Sequence, residues 1–200
     1  MRDYQVLIIG GGIAAYKSLE LIRELARRSI GSRCILTKAG AEFVTPLSVS
    51  ALSGEKVYRD LFDLTDEAEM GHIELSRAAD LVVVAPATAD LMAKMAQGRA
   101  DDLASTLLLA TDTRVLIAPA MNSHMFAHPA VSEALDVLEG WGCRVLPTGE
   151  GRMACGTTGA GRLLEPEQIA KATQMGLLPA EITKNAVVVA YRSGGAQGLM

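Results

Sequence analysis

Short, continuously apolar runs alternate along this chain with segments of helical periodicity, and this alternation constrains the fold more than any other feature. The first run, QVLIIG (5–10), precedes a segment in which Ala15, Leu19, Ile22 and Ala26 recur at helical spacing. Continuous apolarity predicts strands that are buried on both faces, and alternation with helices predicts a parallel sheet. Further strands are predicted at 33–37, 80–88, 114–122 and 143–147.

The loops after the first, third and fourth predicted strands place the unusual motifs of the chain on one edge of the sheet. Their sequences are GGGIAAYK, APATAD and APAMNSHM, and ligands bind outside the carboxyl ends of parallel strands. We therefore predict an α/β protein with a Rossmann-like (flavodoxin-like) doubly wound parallel sheet in a three-layer α/β/α arrangement. Pro46 predicts short helices within 41–54, and an amphipathic helix is predicted at 130–140.

The length and composition of the chain indicate one core. Half of its 200 residues are hydrophobic but only 4% are aromatic, so the core must consist mainly of Ala, Val, Ile and Leu. We expect residues 1–180 to form this domain. The tail, 181–200, contains a strand-like run at 184–191 without a following helix, which indicates either the start of a second domain or a loose end.

Charge and cysteine usage exclude several functional classes. The net charge of −4 and the lack of a basic tract argue against nucleic acid as a partner. No apolar run is long enough to span a membrane, and the N-terminus has no cleavable signal pattern. Cys34, Cys143 and Cys155 have no metal-ligand spacing, and their odd number argues against a disulfide framework. We expect a soluble cytoplasmic protein without a metal, nucleic-acid or membrane partner.

The glycine-rich segment after the first strand indicates a phosphate site. Gly10, Gly12 and Ala15 have the spacing of the dinucleotide fingerprint G-x-G-x-x-G/A, and the free amides of a helix N-terminus can bind a phosphate. A dinucleotide site would also need an acid after the second strand, where this chain has Thr37 and Lys38. The pattern favours a mononucleotide phosphate, with a tight turn that binds nothing as the alternative.

Several polar residues are candidates for chemistry, each with a structural alternative. His72 could transfer protons or have a structural role. Asn122 follows the fourth strand, where its amide could bind a carboxylate or carbonyl, or could cap the next helix. Capping is the favoured interpretation for Asp101 and Asp102. Solvated surface positions are predicted for His124 and His128.

The segment GRMACGTTGAGR (151–162) places four glycines around Cys155. Glycines at this density predict a mobile, tight-turning loop and not a packed element. Because structural cysteines are usually buried, a thiol on such a loop suggests chemistry.

Taken together, these motifs resemble the homo-oligomeric flavin-containing cysteine decarboxylases. Within that family they are most similar to phosphopantothenoylcysteine decarboxylases, including the N-terminal half of bacterial bifunctional coenzyme A biosynthesis flavoproteins. The similarity runs in order over about residues 5–175. The matching segments are GGIAAYK (11–17), FVTPLSVSALSG (43–54), residues 70–106 with GHIELSRAAD and APATADL, PAMNSHM (119–125) and ACGTTGAGRL (154–163).

The resemblance implies FMN as the cofactor. The phosphate and ribityl chain would lie by the first glycine-rich turn and the end of the second strand, at Gly11, Gly12, Ile13, Ala14 and Thr37. Residues that would line the flavin are Phe43, Thr88, Ala89, Asp90, Leu91 and Ala120. Contacts with the substrate would come from Arg77, Asn122, Met153 and Cys155.

The reaction that the resemblance implies is the decarboxylation of 4′-phosphopantothenoylcysteine to 4′-phosphopantetheine. Oxidation of the CH₂–SH group to a thioaldehyde lets carbon dioxide leave with its electrons delocalised onto sulfur, and reduction of the resulting enethiolate completes a redox-neutral cycle. His72 would transfer a proton in the oxidative half, and Asn122 would bind the carboxylate. Cys155 would donate the proton in the reductive half, on a loop that covers the substrate.

The resemblance also implies homotrimers with active sites between protomers, which bacterial members assemble into dodecamers. No ligase activity is predicted, because the residues after Tyr191 depart from the family pattern. Three alternatives remain: a peptidyl-cysteine decarboxylase of the lantibiotic type, a non-enzymatic flavin-binding regulatory subunit, and a nicotinamide-dependent oxidoreductase. The missing acid after the second strand counts against the last.

Overall fold

A six-stranded parallel sheet forms the centre of the structure, a computed structural model that describes residues 4–60, 75, 79–154 and 156–177. Its strands are β1 (Tyr4–Ile9), β2 (Gly31–Leu36), β3 (Val57–Tyr58), β4 (Val82–Ala87), β5 (Val115–Pro119) and β6 (Arg144–Val145). They lie in the order β3-β2-β1-β4-β5-β6 and all pair in parallel. This is the Rossmann order, in which the direction of winding reverses between β1 and β4, and it confirms the predicted fold class.

Helices cover both faces of this sheet. They are a 3-10 turn (Ile13–Tyr16), α1 (Lys17–Arg27), α2 (Lys38–Ala41), α3 (Pro46–Ser53), α4 (Ala89–Ala96), α5 (Leu103–Ala110), α6 (Ser123–Phe126), α7 (Pro129–Gly140) and α8 (Pro166–Leu177). One face packs against α1, α3 and α8, and the other against α4, α5 and α7. Within the described ranges, no helix is both long and apolar enough to cross a membrane.

The strand residues divide between the two faces in strict alternation. In β1, Leu7 and Ile9 belong to the hydrophobic cluster under α1, whereas Val6 and Ile8 belong to the cluster under α4. All four are fully buried. The continuous apolar run is therefore explained by burial on both sides, as expected for a parallel sheet.

The observed strands differ from the predicted ones mainly at their ends. The predicted strand 114–122 stops at Pro119, so that residues 120–122, the β5 loop, lie beyond the sheet. The predicted strand 80–88 is shortened to Val82–Ala87. The two-residue strand β3 was not predicted, because two residues are too few to show a periodicity.

The prediction that 151–162 is a loop and not a packed element is wrong. Two strands, β7 (Gly149–Arg152) and β8 (Thr158–Arg162), pair there as an antiparallel hairpin. Glycines with positive φ lie within both strands, which is why their composition resembles that of a loop. His72, Arg77, Cys155 and the tail at 181–200 lie outside the described residues.

Backbone contacts at the winding reversal fix where the first helix begins. Gly10, just after β1, is so close to the carbonyl oxygen of Pro86 in β4 that a Cβ there would overlap this oxygen. The buried hydroxyl of Ser18, in the first turn of α1, donates a 2.8 Å hydrogen bond to the carbonyl of Ala85. The ends of β1 and β4 and the start of α1 therefore form one tightly packed unit.

We expect Gly10→Ala to destabilise the fold by about 3 kcal/mol, because the new methyl group meets rigid backbone and not a movable side chain. The control is Gly140→Ala at the end of α7, where a Cβ meets no atom within 4 Å; it should be neutral or stabilising by up to about 1 kcal/mol. Urea unfolding of the two variants measures both effects. Equal stability of the Gly10→Ala variant and the parent protein would contradict the close packing at the reversal.

Candidate functional site

The glycine turn (residues 10–12) joins β1 to the first helical residues and leaves a helix start open. Gly12 caps the 3-10 turn with φ 85°, and it supplies no side-chain hydrogen bond. A Cβ on Gly12 would meet no atom within 4 Å. The cap therefore has no side chain that would compete with a ligand for the first amides. Ala15, the third fingerprint position, is fully buried against the core.

The end of β2 packs directly against the glycine turn. Thr37 caps α2 by accepting a hydrogen bond from the amide of Gly40 at 3.0 Å, and its hydroxyl donates to the carbonyl of Ile9 at 3.0 Å. A Cβ on Gly11 would lie 2.6 Å from the Cβ of Ala39. Thr37 therefore occupies the position where a dinucleotide site would need an acid.

The connection from β4 to α4 reaches the same edge. Thr88 caps α4 by accepting from the amide of Leu91 at 3.2 Å. Leu91 is buried, with its Cδ2 3.9 Å from the position of a Cβ on Gly10. The carboxylate of Asp90 points to solvent, with its side chain 80% exposed. The four predicted residues at 88–91 thus include a cap, a core residue and a solvated acid.

The β5 loop carries Asn122 to this edge. The amide of Ala120 donates to the carbonyl of Ala87 at 3.0 Å, and the amide of Met121 donates to the carbonyl of Gly161 at 2.9 Å. The side chain of Asn122 caps α6 by accepting from the amide of His124 at 2.8 Å. The capping interpretation of Asn122 is therefore confirmed, and the residue remains half-buried.

The glycine turn, the β5 loop and the hairpin line a cavity of about 450 Å³. Seven predicted site residues line it: Gly11, Gly12, Ile13, Ala14, Ala120, Asn122 and Met153. Ala154, the neighbour of Cys155, lines it as well. The structure thus brings three features to one cavity: the glycine turn predicted to bind a phosphate, Asn122 predicted to bind a carboxylate, and the hairpin.

Other predicted cofactor residues lie away from this cavity. Thr37 lines a second cavity of about 400 Å³ between β2 and α5. Phe43 is 45% exposed. None of the residues at 88–91 is among the described residues that line either cavity.

Electrostatic pairing in the second cavity gives the aspartates structural roles. Lys94 forms ion pairs with Asp101 and Asp102, each at 3.1 Å, and these hydrogen bonds raise the pKa of Lys94 and lower that of Asp101. Burial opposes ionisation of Asp102, but hydrogen bonds from Ser105 and Lys94 outweigh burial and lower its pKa. Asp102 and Ser105 form a capping box at α5, so the predicted capping role is confirmed for Asp102. For Asp101 the prediction is wrong, because its carboxylate pairs with Lys94 and Arg99 and does not cap the helix.

The described cysteines are not candidate nucleophiles, and the described histidines lie at the surface. Cys34 is fully buried, and burial raises its pKa to about 12. Burial also raises the pKa of Cys143. Thiolates are the nucleophilic form of cysteine, and a raised pKa keeps both thiols protonated at neutral pH, so neither is a candidate nucleophile. His124 and His128 are exposed, as predicted, and His128 also caps α7.

Sequence reasoning missed the cations of the first cavity. Lys17, Arg152 and Arg162 all line it. The two arginines flank the glycine-rich segment in the sequence, but nothing in their spacing indicates that they lie in the same cavity as the glycine turn. Only the docking of the hairpin brings them there.

Comparisons with known proteins assign the chain to a family. Residues 2–178 match the Flavoprotein family. The chain is 43% identical over 184 residues to the "Coenzyme A biosynthesis bifunctional protein CoaBC" of Vibrio vulnificus, a match that covers 92% of this chain and 46% of that protein. The chain therefore spans about half the length of the curated relatives it matches. The resemblance inferred from the motifs is confirmed.

Solved structures share the fold. A cysteine-to-serine mutant of PPC decarboxylase, complexed with pantothenoylaminoethenethiol, superposes with a TM-score of 0.76 at 29% identity and covers 88% of this chain and 98% of that one. SpaF, described as an FMN-dependent cysteine decarboxylase, superposes with a TM-score of 0.72 at 26% identity and covers 88% of this chain and 99% of its own.

Proposed function

The chain belongs to the Flavoprotein family, and from this premise we propose that residues 1–180 bind FMN and decarboxylate 4′-phosphopantothenoylcysteine to 4′-phosphopantetheine. The observation that carries the proposal is the single cavity shared by the glycine turn, Asn122 and the hairpin next to Cys155. The name of the Vibrio vulnificus relative, which refers to coenzyme A biosynthesis, supports the pathway. The aminoethenethiol bound to the PPC decarboxylase mutant supports the substrate class.

The glycine turn suits the phosphate of a mononucleotide. Gly12 leaves the first helical amides without a side-chain cap and has no atoms crowding its α-carbon, so a phosphate can approach the backbone closely. Thr37, at the end of β2, brings no negative charge to this edge, which favours FMN over a dinucleotide. Residues 11–14 and Thr37 would hold the phosphate and ribityl chain. The flavin ring would extend from Ala120 in the cavity along the sheet edge outside it, past Phe43 and the connection at 88–91.

The substrate explains why a redox cofactor is needed. Its cysteine nitrogen is acylated, so a carbanion left by the departing carbon dioxide has no imine to delocalise into. Bound at this edge, FMN supplies reversible two-electron chemistry at the thiol-bearing carbon, which provides the missing electron sink.

Asn122 is oriented to bind the substrate carboxylate. Its amide oxygen accepts the hydrogen bond from His124 that caps α6, and this fixes the rotation of the side chain. With the oxygen directed to the helix, the amide NH₂ group is the donor end of the side chain, and a carboxylate binds to donors. The cap thus gives one residue both a structural and a binding role.

Proton transfer in this proposal belongs to residues outside the described ranges. His72 moves the proton in the oxidative half of the reaction, and Cys155 donates one in the reductive half. Arg77 and Met153 contact the substrate, and the hairpin shields it from water. Because Cys155 must stay reduced, we place the protein in the cytoplasm.

We also propose a homotrimer with the site between protomers. Large apolar side chains are exposed around the ligand edge: Ile13 at 57%, Tyr16 at 56% and Phe43 at 45%. Apolar surface beside a cavity is typical of an interface.

Light scattering should give the mass of three chains, and a monomer at micromolar concentration would contradict the assembly.

The function is tested by incubating purified protein anaerobically with 4′-phosphopantothenoylcysteine. The expected result is a yellow protein that releases carbon dioxide and 4′-phosphopantetheine. Absorbance monitors the flavin, and mass spectrometry identifies the product. Cys155→Ser should stop at a product two hydrogens short of 4′-phosphopantetheine, and His72→Asn should bind FMN without decarboxylating. A yellow protein that acts only on peptidyl cysteine would contradict the substrate. A protein that cannot be reconstituted with FMN would contradict the whole proposal.

Two substitutions of Asn122 separate its two roles. Asn122→Asp retains the cap, so its stability should stay within about 0.5 kcal/mol of the parent, whereas Asn122→Ala should lose about 1 kcal/mol. Both should lower kcat/KM by about 100-fold, because neither donates to the carboxylate and the aspartate repels it. Wild-type kcat/KM in the Asn122→Asp variant would exclude carboxylate binding by this residue.

A further inference from the structure

The first and second cavities differ sharply in the charge of the side chains that line them. The first is lined by Lys17, Arg152 and Arg162, and no Asp or Glu is among its described lining residues. In the second, cations and carboxylates are equal in number: Lys38, Arg59, Lys94, Asp60, Asp101 and Asp102. An anionic group of a ligand is therefore stabilised in the first cavity and not in the second.

Arg162 lies across the strand β7 beside Arg152. A Cβ on Gly151 would lie 2.9 Å from Nη1 and 3.6 Å from Cδ of Arg162. The arginine side chain thus occupies the space that the glycine leaves, one residue before Arg152. It is only 38% exposed. Packing against the hairpin backbone restricts its guanidinium to the cavity wall.

Glu165 joins the hairpin to α1 through two of the cations. Its carboxylate accepts from Lys17 Nζ at 2.9 and 3.0 Å, and its Oε1 also accepts from Arg162 Nη2 at 3.3 Å. Lys17 is held firmly, since its side chain is only 14% exposed. Three cations and one carboxylate leave a formal charge of +2. A phosphate monoester carries about −1.5 to −2 at pH 7.

We propose that Lys17, Arg152 and Arg162 bind the phosphate monoester of the substrate, at the opposite end from its cysteine. The inference rests on the proposed function and names the part of the substrate that these residues select. Arginine guanidinium groups match phosphate oxygens in geometry as well as charge. A peptide that ends in cysteine has no such phosphate, so this cluster selects against peptidyl substrates.

The test compares kcat/KM for 4′-phosphopantothenoylcysteine and for pantothenoylcysteine, which lacks the phosphate. The ratio of the two values should fall about 10- to 100-fold in Arg162→Ala and in Arg152→Ala. Arg162→Lys keeps the positive charge but loses the planar guanidinium that can donate two parallel hydrogen bonds, so it should give an intermediate ratio. The matched control is Arg23→Ala, an exposed arginine on α1 that pairs with Glu20 away from the cavity and should leave the ratio unchanged.

A binding measurement makes the test independent of turnover. Calorimetry on the FMN-loaded protein should show 4′-phosphopantetheine binding at least about tenfold more tightly than pantetheine, and Arg162→Ala should remove the difference. Equal binding of the two by the parent protein would overturn the inference. An unchanged difference in both arginine variants would also overturn it. If neither substrate is turned over but the binding difference is present, the proposed function fails and the phosphate site stands.

FMN also carries a phosphate monoester. Its affinity shows whether the cations bind the phosphate of the cofactor or that of the substrate. Titration of apoprotein with FMN and with riboflavin should give the same ratio of affinities in Arg162→Ala as in the parent. A ratio that falls in the variant would show that the cations hold the phosphate of the cofactor, and would overturn the assignment to the substrate.

Discussion

The rest of the site depends on how closely the glycine turn packs against the two connections beside it. Gly10 contacts the carbonyl of Pro86 so closely that no side chain can be accommodated, and a Cβ on Gly11 would lie 2.6 Å from that of Ala39. These contacts bring the ends of β1, β2 and β4 together where the winding of the sheet reverses. Glycine is required here because backbone packs on backbone. The open helix start at Gly12 is positioned by this packing.

The hairpin completes the cavity by docking on the β5 loop and not on the sheet. The amide of Met121 donates to the carbonyl of Gly161, and the amide of Gly161 donates to the hydroxyl of Thr148 at 3.0 Å. A Cβ on Gly161 would lie 2.5 Å from the carbonyl oxygen of Met121, so the glycines of β8 permit contact as well as unusual dihedral angles. This docking places Met153 in the same cavity as Asn122.

Charge is distributed to leave one cavity positive. At the second cavity, Lys94 is neutralised by Asp101 and Asp102, and the hydrogen bonds of Asp102 also stabilise the start of α5. At the first, Glu165 gathers Lys17 and Arg162 without cancelling both charges. The aspartate pair that is conspicuous in the sequence therefore stabilises a helix and an ion-pair cluster. The arginines that no motif singled out form the charged wall of the candidate site.

The sequence alone determined the sheet, its parallel pairing and the edge that carries the unusual motifs, because burial on both faces produces apolar runs that are visible over five or six residues. It also determined the fingerprint positions Gly10, Gly12 and Ala15, whose spacing is local to one turn. The tertiary structure decided that β7 pairs with β8, which residues line the cavity, and that Lys17, Arg152 and Arg162 lie together there. The pairing of β7 with β8 is local, but the glycines within both strands hide the alternation that would reveal it. The cavity depends on contacts between distant positions, such as Met121 with Gly161 and Lys17 with Glu165, which leave no periodicity in the chain. Local patterns specify elements, whereas the site is defined by how those elements dock.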